Sequence, residues 1–241
     1  MTETAVFLQP AFILQQQKYR ETSLIINALT RDFGRISLLA KGVRKSKSKT
    51  AALLQPFIPL NISFVGKTGL KTLTQVEIIP PLLELSGLAF YCGFYINELS
   101  RFFLHQYDPH PEVFIAYRQC LSRLSTIAPG TASPLMEAAL RTFEIELMEY
   151  IGYGLQFEYD ICNKKPIDAS KKYVFNKEHG LVEAEQGLFS GTTLQAVKRK
   201  EFIDPAVLSE AKLLMRTVID SHLQGRPLKS RVVINQIIKT L

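Results

Sequence analysis

The first 80 residues alternate apolar and polar positions at the period of a half-buried strand. Leu60, Ile62 and Phe64 are spaced by Asn61 and Ser63, and Ile36, Leu38 and Ala40 by Ser37 and Leu39. Thr72, Thr74, Val76 and Ile78 repeat the pattern against Leu73, Gln75 and Glu77. Residues 23–29 and 11–14, to which 5–8 can be joined, complete about five strands. Turn signals fall at 15–20, 32–34, 45–50 and 66–69. Five short strands in so few residues predict a small closed barrel, and the five-stranded oligonucleotide-binding (OB) barrel is the first architecture to consider.

After Pro80 and Pro81 the period becomes helical. Leu85, Leu88, Cys92, Tyr95, Leu99 and Phe102 recur three or four residues apart, and Ala89, Ile96 and Phe103 widen the stripe. This helix is expected to be buried on most sides, with its aromatics in the core and not in a base-stacking platform. A second helix is predicted from Pro111 to about Ala128. A third opens with Ser133 as N-cap and Pro134 behind it, carries Met136, Leu140, Phe143 and Leu147, and ends near Gly152; the three are expected to pack as a bundle. From 153 to 199 the signal weakens to a hairpin (Tyr173, Val174 and Phe175 against Leu181 and Val182) and a short helix over 190–200. A last helix starts at Asp204 and Pro205 and runs to Gly225. The expected class is α+β: an OB-fold barrel over 1–80, then a mainly α-helical domain over 81–241 with a small hairpin insertion around 160–200.

Composition adds limits to this picture. Of 241 residues, 46% are apolar and 21% charged, as in ordinary globular proteins. The longest apolar run, Gly87 to Ile96, is about half of what a membrane-spanning helix needs, so no membrane partner is expected. The chain shows no basic leader ahead of an apolar stretch. Its three widely spaced cysteines suit a reducing compartment, and a cytoplasmic protein is expected.

Charge changes the picture more. The net charge is +7, but its distribution matters more than its sum. Between Arg35 and Gln75 lie eight cations, Arg35, Lys41, Arg44, Lys45, Lys47, Lys49, Lys67 and Lys71, and no carboxylate. A second acid-free stretch from Ser221 onward carries Arg226, Lys229, Arg231 and Lys239. Solvated surface lysines explain short runs of charge; a run this long and free of acids points to a polyanion such as nucleic acid. Aromatics in the first segment are few, so electrostatics are expected to outweigh stacking.

The motifs of catalysis are missing their partners. Gly66, Lys67 and Thr68 resemble the end of a phosphate-binding loop, but Asn61 stands where its first glycine belongs. Gly152, Tyr153 and Gly154 begin a dinucleotide fingerprint, yet Phe157 takes the third glycine position and a helix precedes them. His105, Asp108 and His110 form a weak cluster without metal-ligand spacing, and Cys92 and Cys120 fall in apolar helical stripes. No catalytic residue, cofactor or metal is expected. An RNA-binding barrel, an enzyme with an unrecognised acidic site and a non-catalytic scaffold are the rival readings.

Several stretches resemble a known family. Glu21-Thr22-Ser23-Leu24, the run Gly34 to Gly42, Leu54-Gln55-Pro56-Phe57 and Leu70-Lys71-Thr72-Leu73 are similar to the N-terminal barrel of the bacterial recombination mediator family RecO. Tyr95 to Leu99, Ala139 to Glu144, Gly152 to Gly154 and Gly225 to Arg231 look like its later motifs, in order. The resemblance implies a non-enzymatic DNA repair protein that binds single- and double-stranded DNA and anneals complementary strands. It also implies work with RecR, docking on the acidic, Phe-ended tail of single-stranded-DNA-binding protein, and help in loading RecA. Carried over by position, Arg35 and the loop from Lys41 to Lys49 become the leading DNA contacts, with Lys67 and Lys71 beside them. Arg226, Lys229 and Arg231 become secondary contacts, and Arg141 the residue that pairs a tail carboxylate. Against that role, Glu137 lies four residues before Arg141, suited to an ordinary helical ion pair. Some members of the family carry a four-cysteine zinc site after the Gly-Tyr-Gly motif; here only Cys162 lies there, so no zinc is expected.

Overall fold

The alternating segments form five strands in a computed structural model that describes residues 5–45, 48–67, 69–129 and 133–240. They are β1 (Ala5–Tyr19), β2 (Ser23–Thr30), β3 (Gly34–Ala40), β4 (Leu60–Val65) and β5 (Leu70–Ile78), closed in the order β1-β2-β3-β5-β4 with β4 returning to β1. A short helix, α1 (Lys49–Leu53), sits between β3 and β4. This is the expected OB-type barrel. Every pairing is antiparallel except β3 with β5, which is parallel and joins only Ser37, Leu38 and Leu39 to Leu70, Lys71 and Thr72. The inward positions of the alternation, Ile26, Ala28, Ile36, Leu38, Ile62 and Phe64 among them, make one core.

The first strand departs from expectation. Residues 15–20 carry turn-like polar residues, yet β1 continues to Tyr19 through a register shift between Ile13 and Gln15. Its Gln16, Gln17 and Lys18 pair with Ile26, Ile25 and Leu24 of β2, so the ladder overrides their weak strand propensity. The shift leaves the Leu14 carbonyl outside the ladder, and a buried carbonyl needs a donor. Asn97 supplies it, donating from Nδ2 at 3.1 Å.

Asn97 belongs to α2 (Gly87–Phe103), which packs with α3 (Pro111–Ser125) in the same compact unit as the barrel, residues 1–128. Tyr117 of α3 donates its hydroxyl to Asn97 Oδ1 at 2.6 Å, and its ring lies 5.0 Å from that of Phe12 on β1. Burial pushes the Tyr117 hydroxyl well above its ordinary pKa, keeping it a donor. Of the predicted stripe of α2, Leu88, Cys92, Tyr95, Ile96 and Leu99 are in the core, but Phe102 is half-buried and Phe90, Tyr91 and Phe94 are exposed, so the helix is not buried on most sides and its aromatics are not all in the core as expected. Gly93 is required on it, because a Cβ there would lie 2.8 Å from the Phe57 ring.

Residues 129–241 form the second unit. There α4 (Pro134–Tyr150) begins as predicted, with Ser133 Oγ accepting from the Met136 amide at 3.2 Å. Two hairpin strands, β6 (Tyr159–Asp160) and β7 (Lys165–Pro166), precede a three-stranded sheet in which β8 (Lys172–Asn176) lies between β9 (Gly180–Glu183) and β10 (Phe189–Ser190). The hairpin of β8 and β9 is the predicted one; β10, too short to show alternation, is an addition. Then come α5 (Gly191–Arg199), α6 (Pro205–His222) and α7 (Lys229–Thr240). Asp204 caps α6 as expected, accepting from the Ala206 amide at 2.8 Å. The sequence did not signal α7, whose Val232, Val233 and Ile238 stay exposed and leave no buried stripe.

The turn between β6 and β7 is built on a buried carboxylate. Asp160 accepts from the Asn163 amide at 2.9 Å, the Asn163 side chain at 2.6 Å and the Glu183 amide at 2.7 Å. Desolvation pushes its pKa up, but the bonds from Glu183, Asn163 and Cys162 outweigh it and hold the carboxyl below its ordinary value near 3.8.

Two predictions follow from these polar anchors. Tyr117→Phe leaves a buried Asn97 oxygen without its donor and is expected to lower unfolding free energy by about 1–3 kcal/mol in urea titrations; an unchanged midpoint would refute the anchor. Asp160 has a depressed folded-state pKa, so its contribution is complete above pH 3.8 and fades as pH falls through the folded value. The stability gap between wild type and Asp160→Asn, followed by circular dichroism, is therefore expected to narrow on acidification from neutrality to below pH 3.8; a gap independent of pH would contradict the assignment.

Candidate nucleic-acid interface

The predicted cations separate into groups once folded. Strand β3 ends at Ala40, and Gly42, at φ +69°, turns the chain through a conformation that a side chain disfavours. The loop then folds against the turn between β1 and β2. The Arg44 amide donates to the Thr22 carbonyl at 2.8 Å, and Arg44 Nη1 to the Arg20 carbonyl at 3.1 Å. A concavity results, lined by Tyr19, Arg20, Glu21, Leu39, Lys41 and Lys45, so one carboxylate stands among its cations. Lys41, Arg44 and Lys45 are exposed on this rim loop, and Lys49, also exposed, follows at the start of α1. Lys47 lies outside the described residues.

Arg20 and Tyr19 join this rim and were not among the sequence candidates. The Arg20 guanidinium sits 5.2 Å from the Tyr19 ring centroid. Their signal was present as Lys18 and Arg20 in a row of polar residues, but it read as a plain turn because the length of β1 was not visible.

Lys67 and Lys71 lie at the turn between β4 and β5. Lys67 is exposed; Lys71 Nζ donates to the Gly66 carbonyl at 3.2 Å and lies 5.3 Å from the Tyr107 ring centroid. The parallel pairing sets Lys71 beside Leu38 of β3, and three residues on, β3 gives way to the rim loop at Lys41. At about 3.3 Å per residue, roughly 10 Å of strand separates the two groups.

Arg35 behaves differently. It is half-buried, and its Nε donates to the carbonyl of Leu104, at the end of α2, at 3.1 Å. Desolvation and then the neighbouring Arg101 charge lower its pKa from the ordinary guanidinium value. Gly34, at φ +64°, permits this approach, since a Cβ would meet the Asp108 carbonyl oxygen at 2.2 Å. Both aromatics of the cationic segment, Phe57 and Phe64, are in the core.

In the second unit the candidates are engaged. Arg141, only 5% exposed, forms a two-pronged pair with Glu144 through Nε at 2.7 Å and through Nη2, while Nη1 reaches Glu137 at 3.1 Å. Glu137 also takes Lys212 at 2.6 Å. The ion pair to Glu137 suggested by spacing is thus present, with Glu144 as the closer partner three residues on. Arg231 pairs with Asp220, Arg226 is exposed, and Lys229 opens α7.

Among the described residues, no group of three or more His, Cys, Asp or Glu could hold a metal ion, and no helix is long and apolar enough to cross a membrane. His110 pairs with Asp108 at 3.2 Å, and His222 stacks on Tyr153 at 4.3 Å, its pKa lowered by burial and then by the Lys177 charge.

Comparison with known proteins agrees with this architecture. The family pattern described as Recombination protein O N terminal matches residues 1–82, and Recombination protein O C terminal matches residues 85–232. The chain is 38% identical over 237 residues to a protein named DNA repair protein RecO from Nitrosococcus oceani, covering 96% of this chain and 94% of that one. It is 40% identical to the protein of that name from Methylococcus capsulatus, covering 94% and 92%, and 36% identical to that from Haemophilus influenzae, covering 97% and 98%. With its barrel, its helices and nearly its whole length matched, the chain belongs to the RecO family of DNA repair proteins.

Proposed function

We propose that the protein is a non-catalytic recombination mediator whose barrel binds single- and double-stranded DNA and anneals complementary strands. The observation that carries this reading is the cationic rim, where Lys41, Arg44 and Lys45, from a segment of chain without carboxylates, stand beside Arg20 and outnumber the neighbouring Glu21 on an OB-type barrel, with exposed Lys49 following at the start of α1. Phosphates neutralised there release counterions, and no base is read, so any sequence is accepted. Two complementary strands held by one cationic surface repel each other less and meet at raised local concentration. In the same reading the protein works with RecR, docks on the acidic tail of single-stranded-DNA-binding protein and helps RecA load onto coated strands. Its setting is the cytoplasm.

Arg226, Lys229 and Arg231 serve as secondary DNA contacts at a second basic surface. Arg141 takes the tail carboxylate by exchange. Glu137, the more exposed of its two partners at 20% against 1% for Glu144, gives way to the incoming group while Glu144 stays.

Annealing of two complementary oligonucleotides tests the rim. Changing Lys41, Arg44, Lys45, Lys47 and Lys49 to Ala is expected to abolish annealing in a variant with a wild-type circular dichroism spectrum. Wild-type affinity for a single strand is expected to fall with salt at a log–log slope of roughly −3.5 for about five neutralised phosphates. Equal annealing by variant and wild type would move the DNA site off the barrel rim. For the tail, Glu137→Gln is expected to tighten binding of a labelled acidic peptide ending in Phe, because the internal competitor is gone; unchanged or weaker binding would reject exchange at Arg141.

A further inference from the structure

The end of α2 and residues 104–110, which lead from it to α3, lie against the barrel and bring two groups that the cationic rim does not include, Arg101 and Tyr107. Besides the bond from Arg35 Nε to Leu104, the Tyr107 amide donates to the Arg35 carbonyl at 3.0 Å. Gln106 Nε2 donates to Ser37 Oγ at 3.1 Å, and the Tyr107 hydroxyl to the Gly69 carbonyl. The segment is thereby tied to β3 and to the turn between β4 and β5.

Arg101 lies in the last turn of α2, one residue triplet before Leu104. Its Nε is buried and has no hydrogen-bond partner, and its charge is felt at Arg35. Neither arginine forms an ion pair among the described residues; the acid in the connecting segment, Asp108, is held by His110. Two neighbouring guanidinium groups, partly out of water and facing no anion, are unfavourable by themselves. An anion between them reverses the sign, and a guanidinium fork matches two phosphate oxygens at once.

Tyr107 stands beside this pair. It is 40% exposed, far outside the core, and held at φ +62°, a conformation that non-glycine residues seldom adopt. Its hydroxyl is tied to Gly69, and Lys71 Nζ approaches the ring at 5.3 Å. An exposed ring fixed at both ends is a plate on which a flat group can stack without first being ordered.

We propose that a single DNA strand crosses this edge of the barrel with one backbone phosphate between Arg35 and Arg101 and an adjoining unpaired base on Tyr107. The inference rests on the DNA-binding reading above and adds to it a stacking element that the rim lacks. A single strand is the occupant because a paired base in a duplex keeps its faces covered by its neighbours.

The test uses the full chain and fluorescence anisotropy with a labelled 20-mer oligothymidine and an abasic strand of equal length, across a range of salt. Arg101→Gln is expected to weaken both strands several-fold and to make the salt slope shallower by about 0.7, one phosphate contact on a single strand. Arg101→Lys is expected to restore the slope. Tyr107→Ala is expected to weaken oligothymidine about 5- to 100-fold and the abasic strand hardly at all, whereas Tyr107→Phe, which keeps the ring and loses only its tie to Gly69, weakens oligothymidine less than Tyr107→Ala does. Wild-type affinity and slope in Arg101→Gln overturn the phosphate site, and equal weakening of both strands by Tyr107→Ala overturns the stacking role. If Arg101→Gln instead loses only an acidic peptide probe, the pair serves a protein partner and the proposal fails. Loss of binding in the rim variant with no effect at Arg101 or Tyr107 overturns this site alone; a wild type that binds neither strand overturns the DNA-binding reading itself.

Discussion

The barrel closes through a short seam. Only three residues of β3 pair with β5, in parallel, and the rest of the sheet is antiparallel. Parallel pairing is slightly weaker per residue, and a seam of three leaves the start of β3 with backbone groups to satisfy. The segment after α2 satisfies them, with Tyr107 bonding the Arg35 carbonyl in an isolated bridge of Arg35 and Gln106. Gly34 is the steric condition for that contact. The same seam sets Lys71 beside Leu38, so closure of the barrel also fixes where Lys71 lies relative to β3.

A second tie runs through Asn97, which links a bulge in β1 to α2 and, through Tyr117, to α3. Together these contacts explain why the compact unit extends to residue 128 while the change of sequence pattern comes at Pro80. The family patterns divide near that change, at residues 82 and 85.

Much of the fold was legible in the sequence. The alternation of β3 and β4 marks inward positions that are all buried, and Ser133 and Asp204 cap the helices they were expected to cap. The end of β1 was not legible, because its polar residues are strand-forming only through their ladder with β2. Helix α7 escaped notice because its β-branched residues cover little and give no stripe of deep burial. At the interface, the absence of carboxylates marked the rim cations, since that property is written along the chain. The environment of Arg35 was hidden because its partner, Leu104, lies 69 positions away. Arg101 and Tyr107 were hidden for the same reason: one lies in the last turn of a helix and the other in a loop, and only folding brings them near Arg35.

The cationic loop is tethered by Arg44 to the carbonyls of Arg20 and Thr22, while Lys41 and Lys45 remain exposed. The backbone around Arg44 is therefore held before any partner arrives. On the DNA-binding reading proposed above, association at this rim would draw its driving force from released ions, with a small heat capacity change. A surface of that kind would hold a strand tightly in dilute salt yet let it shift along its length. Such sliding would let two strands search for their complement while still attached.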